Sequence, residues 1–216
     1  APGARPLAPL SGVFPINMIP PAVPAGPSHA ADARSVMTAA QFLLPDLEKG
    51  RQIDATLLRT AMETAFGGSD SSGAWDWKTA YEATEAATVL FLRKYGRALH
   101  QKAGSTSALL PLLSRIAGLL PSQTRRSEEM QARQQFSTPV PLGLAALTAA
   151  AITPADRVLE PSAGTGLLAI LAEIAGGGLI LNELADLRAG LLDALFPGVP
   201  VTRFDAAQIH DHLAED

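Results

Sequence analysis

The sequence predicts an α/β chain: a mostly helical N-terminal part, then the first half of a domain built on a parallel sheet. Three observations carry this. Apolar residues recur at helical spacing between about residues 31 and 133. From residue 134 short apolar runs alternate with helical runs, the grammar of parallel strands joined by crossovers. The first of those runs ends in a glycine turn, within "VLEPSAGTGLLAI", Val158 to Ile170.

The elements follow in order. Residues 1–30 hold Pro2, Pro6, Pro9, Pro15, Pro20, Pro21, Pro24 and Pro27. Proline removes a backbone donor and forces its predecessor extended, so this stretch predicts an extended arm. Its apolar residues (Val13, Phe14, Ile16, Met18, Ile19) suit a surface groove. "DATLLRTAMETAF" predicts a helix with Asp54 as its N-cap and Leu57, Leu58, Ala61, Met62, Ala65 and Phe66 on the apolar face. Gly67 to Gly73 is a loop. A long helix is expected from Trp75 to Lys102, with Tyr81, Thr84, Thr88, Phe91 and Tyr95 as its stripe. In "SALLPLLSRIAGLLP", Pro111 predicts a kink or a first-turn position. "SQTRRSEEMQARQQ" reads as a polar helix, and "STPVPLGLAALTAAAI" as a turn followed by a helix. Strands are expected at 157–160, 178–182 and 201–204, with helices at 167–175 and 185–195 between them.

Composition bounds the function. At 216 residues and 47% hydrophobic the chain can bury a sizeable core. A net charge of −4 leaves no global basic excess, so nucleic-acid contact would need a local patch. There is no Cys, which excludes disulfides and thiolate metal sites and suits a reducing, cytoplasmic setting. No apolar run reaches the roughly 18 residues of a membrane span, and no signal-peptide pattern opens the sequence, so no membrane partner is expected.

In an open parallel sheet, ligands sit beyond the carboxyl ends of the strands. Gly164 and Gly166 fall there, before a helix N-terminus with free N–H groups. One strand later comes Asn182-Glu183, placed for a carboxylate to reach ribose hydroxyls, and after the third strand comes Asp205. The loop also fits the looser dinucleotide pattern. Glu160, preceding it, would repel a pyrophosphate but suit the positive charge of S-adenosyl-L-methionine.

These residues resemble a known family. "VLEPSAGTG" resembles the first motif of class I S-adenosylmethionine-dependent methyltransferases of the N6-adenine DNA methyltransferase type. "QQFSTPVPLG", Gln134 to Gly143, resembles the upstream motif that closes over the methionine end of the cofactor; "LNEL" and "RFDA" resemble the second and third. The resemblance implies a Rossmann-like domain over 134–216, incomplete here and preceded by an arm (1–30) and a helical domain (31–133). It implies a cofactor site of Phe136, Ser137, Thr138, Pro139, Glu160, Pro161, Ser162, Ala163, Gly164, Gly166, Glu183, Asp205 and Ala206. Glu183 would bind ribose and Asp205 adenine. The helical part leading into "RQQFSTP" resembles bacterial strawberry-notch-like proteins, which join a methyltransferase-like domain to a superfamily 2 helicase.

Enzymes of this type carry [N/D]-P-P-[Y/F] after strand four. The only Pro-Pro pair, Pro20-Pro21, has Ile19 before it and Ala22 after it, so it supplies neither the polar group nor the ring. The expectations are therefore a donor-binding portion without catalytic residues and DNA as partner of the parent protein. A missing C-terminal half, or another chain, would complete the sheet; strand 157–160 would otherwise keep a bare, aggregation-prone edge. The alternative is a non-catalytic scaffold or sensor attached to a helicase. Competing local readings make Glu160 a cap of the glycine turn, Glu183 a solvated helix-start carboxylate and Asp205 a turn residue. Phe136 to Pro139 would be only a helix start. His210-Asp211-His212 reads as a solvated turn rather than a metal site, Trp75 and Trp77 as anchors rather than base-stacking groups, and Arg125, Arg126 and Arg133 as a mixed, solvated helix face.

Overall fold

A computed structural model describes residues 27–122 and 137–212. Four helices come first: α1 (Pro27–Glu48), α2 (Ala55–Phe66), α3 (Trp77–Ala103) and α4 (Thr106–Ala117). Then follow α5 (Val140–Ala150), β1 (Arg157–Glu160), α6 (Leu167–Ala175), β2 (Gly178–Asn182), α7 (Asp186–Leu195), β3 (Val201–Thr202) and a 3-10 turn (Ala206–His212). The chain is thus mixed helix and sheet, with three parallel strands in the order β1-β2-β3.

Local chemistry explains most boundaries. Asp54 and Asp76 cap α2 and α3, each accepting at 2.8 Å from the amide three residues on. Gly67 and Gly104 close the same helices in the left-handed conformation. Along α1 the buried residues Ala33, Val36, Ala40, Leu43 and Leu47 recur every three or four positions, one helical face turned inward against α3 and α7.

Helix α3 is the strut of the molecule. Ala80 to Val89 are buried on every face, not along one stripe as the periodicity predicts. Thr84 and Thr88 satisfy their hydroxyls on the α3 carbonyls of Tyr81 and Thr84. Close approach to α6 occurs at Gly96, where a Cβ would meet Ile174 Cδ1 at 2.4 Å. Arg93 grips both later helices. It pairs with Glu173 of α6 at 3.1 Å, donates to the Leu195 carbonyl that ends α7, and lies 4.6 Å over the Phe196 ring. One apolar core therefore runs without a break from Val36 to Phe196.

Several expectations need correction. Helix α1 begins at Pro27, inside the stretch read as an arm, because proline is tolerated in a first turn. Trp75 precedes α3 instead of starting it; Asp76 takes the cap. Trp75 donates to the Gly68 carbonyl at 2.9 Å and Trp77 to Asp70 at 3.1 Å, so both rings anchor the Gly67–Gly73 loop. Helix α4 continues through Pro111, whose exposed position lets water meet the carbonyl that loses its donor. The third strand stops at Thr202 because the Asn182 side chain takes the Phe204 amide. The arm up to residue 26 and all but Ser122 of the polar helix expected at 122–135, with Arg125, Arg126 and Arg133, lie outside the described residues. Among the described residues no helix is long and apolar enough to cross a membrane.

Candidate functional site

The strand ends enclose a cavity of about 540 Å3, a size typical of small-molecule sites. The turn after β1 supplies Pro161, Ser162, Ala163 and Gly164; the end of β2 supplies Glu183; the segment after β3 supplies Asp205 and Ala206. Ser137 and Thr138, ahead of α5, close one side. The structure thus brings together nine of the thirteen residues the sequence singles out.

Four stand apart. Pro139 and Glu160 are not on the cavity wall. Gly166 is not either: a Cβ there would meet Phe196 Cε2 at 2.4 Å, so this glycine makes room for a ring of the core. Its φ of 88°, at the N-cap of α6, is a second reason for glycine. Phe136 lies outside the described residues.

Glu183 is 8% exposed, not solvated. One carboxylate oxygen accepts from the Gly164 amide at 2.8 Å and the other from the Ala185 amide at 2.9 Å. The acid therefore ties the end of β2 to the glycine turn after β1, with a spare lone pair on each oxygen. Gly164 itself has φ 58°, and a Cβ there would meet only Arg188 Nη1, at 4.0 Å. Asp205 is exposed and accepts from the Ala207 amide at 3.0 Å, so it is both a turn residue and part of the wall.

Asn182 joins all three strand ends. Its amide donates to the Pro161 and Phe204 carbonyls, each at 2.9 Å; its oxygen accepts from the Thr202 hydroxyl and the Phe204 amide, each at 2.8 Å. The side chain is fully buried and every polar valence is used.

Behind the wall lies a buried polar cluster that sequence reasoning missed. Arg188 of α7 lines the cavity and donates from Nε to Glu82 of α3 at 2.6 Å. Burial pushes the Glu82 carboxyl above its usual range, against the pull of Arg188. Glu85, one turn along α3, accepts from the hydroxyls of Ser137 and Thr165 at 2.7 Å each. The signal was present: "YEATEAAT" sets two acids among small apolar residues, and Arg188 stands in an apolar helix. The apolar wall, with Leu167, Leu168, Leu184 and Phe204, was also unassigned.

His212 stacks on Phe204 at 3.6 Å between centroids, and His210 pairs with Asp211. Among the described residues no three potential ligands gather to hold a metal. A scan of the chain against protein-family models matches none, and searches of curated proteins and of solved structures return no match.

Proposed function

We propose that this chain forms the S-adenosylmethionine-binding part of a Rossmann-like methyltransferase, whose acceptor is an amino group of a nucleic-acid base, adenine N6 in DNA. One observation carries the reading. The glycine turn, Glu183 and Asp205, from three successive parallel strands, meet on one cavity. The only basic side chain on its described wall, Arg188, is already paired with Glu82.

That donor set fits an adenosyl sulfonium better than a dinucleotide. A pyrophosphate needs unpaired N–H groups or a free cation. Here the Gly164 amide is spent on Glu183, and two carboxylates border the space. Glu183 keeps lone pairs for ribose hydroxyls. On this reading Asp205, on the wall, accepts from an exocyclic amine. Leu184, 53% exposed and on the wall, and Phe204 offer apolar faces to a planar ring. Leu167 and Leu168 add apolar surface to the wall.

The bound cofactor would supply an electrophilic methyl group, which needs mainly positioning and a dry site. These residues hold and orient; none of them is assigned to the acceptor, because the sequence has no [N/D]-P-P-[Y/F]. The test is a ligand titration of the full chain followed by amide NMR. S-adenosylhomocysteine should give saturable shifts at Gly164 and Glu183, weakened about tenfold or more by Glu183→Ala, in line with loss of charge-assisted bonds. Reduced nicotinamide dinucleotide should not compete. No saturable shift, or shifts indifferent to Glu183→Ala, overturns the reading.

A further inference from the structure

We infer that Glu85, on a helix far in sequence from the strand ends, makes the Ser137–Thr165 corner of the cavity a subsite for an ammonium group. Its choice of adenosyl ligand rests on the reading above; its chemistry at the corner does not.

The inference follows from counting protons. Ser137 and Thr165 both line the cavity. Each hydroxyl owns one proton and two lone pairs. Both protons are committed to one oxygen of Glu85, at 2.7 Å each. A carboxylate acceptor makes these bonds short and strong, so a ligand does not easily win the protons back. What the two hydroxyls can turn toward a ligand is lone pairs alone. The two side chains therefore accept and do not donate. A ligand carboxylate or phosphate finds no hydroxyl proton there; an ammonium or N–H group finds two acceptors.

Charge points the same way. Glu85 is 4% exposed, so its negative charge acts through little water. Arg188 feels Glu82, Glu85 and Glu183 together. Glu160, the acid the sequence places before the turn, is off the wall. The ammonium end of an amino-acid-bearing ligand is thus held by a residue of the helical segment, acting through two hydroxyls. Glu85 is a positioning residue, and α3 is part of the site.

The test compares ligands that differ only at that end. In the full chain, S-adenosylhomocysteine should bind about tenfold or more tightly than methylthioadenosine, which lacks the amino-acid group. Glu85→Ala should erase that preference and leave methylthioadenosine affinity within about twofold. Glu85→Gln, whose carbonyl still accepts from both hydroxyls, should keep part of it, and Glu160→Gln should keep all of it. If neither adenosyl ligand binds, the cofactor reading falls, and n-butylammonium still decides the corner. It should shift the Thr165 amide resonance where n-butyrate does not, and the shift should shrink in Glu85→Gln and vanish in Glu85→Ala and in Thr165→Val. A preference that survives Glu85→Ala, or a Thr165 amide that answers butyrate as strongly as butylammonium, overturns the inference.

Discussion

At the end of β1 the Glu160 carboxylate accepts one long hydrogen bond among the described residues, 3.4 Å from the Ser162 amide. Burial raises its carboxyl above the ordinary 4.5, and the Ser162 amide only partly opposes this. A raised folded-state value means the fold prefers the protonated acid. The stability this group contributes is then fully present below 4.5 and is lost as pH rises through the raised value. Glu160→Gln mimics the protonated form. Thermal melts should show little difference from the parent chain near about pH 4 and a growing stabilisation of the variant toward about pH 8. A difference that stays flat across this range would show that Glu160 is not perturbed. At this scale the sequence was a partial guide. Gly164 and Gly166 look alike in it, yet one faces the cavity and the other faces Phe196, because only tertiary packing places that ring. Glu183 was legible since its work is done on neighbouring strand ends. Glu85 and Arg188 were not, since their partners lie on distant elements.

Between elements, Asn182 shows how side chains set the sheet's outline. Regular periodicity located β1, α6 and β2 to the residue. It overran β3, because an alternating pattern cannot announce that a buried amide will capture the Phe204 N–H and turn the chain away. It also missed that α3 is buried all round, since its alanines and threonines read as one stripe only when no second layer is assumed. Replacing Asn182 by Leu strands the Pro161 and Phe204 carbonyls and the Phe204 amide, while the Thr202 hydroxyl keeps the Leu181 carbonyl as its acceptor. At roughly 1–3 kcal/mol per buried orphan, with some relaxation toward water, the expected loss is about 3 kcal/mol. Chemical denaturation measures it directly. The same variant should loosen the turn after β1 and the segment after β3 together, since both hang on one amide. A loss below about 0.5 kcal/mol would mean that water already serves these groups.

At the scale of the molecule, the sheet is asymmetric. The β3 side of β2 is paired and α7 packs on β3, whereas β1 meets no strand on its other side among the described residues. In a parallel ladder alternate residues of a strand bond to the same neighbour. Gly178 donates to the Asp156 carbonyl, which sets Val158 and Glu160 toward β2 and leaves the Leu159 N–H and C=O on the free side. An unpaired strand edge is a template for another strand. Hydrogen exchange in dilute solution should therefore find the Val158 and Glu160 amides protected and the Leu159 amide exchanging far faster. As concentration rises, sedimentation should report association, and Leu159 should gain protection in step with it. Protection of Leu159 in the dilute monomer would show that the edge is already covered, and association without any change at Leu159 would place the contact elsewhere.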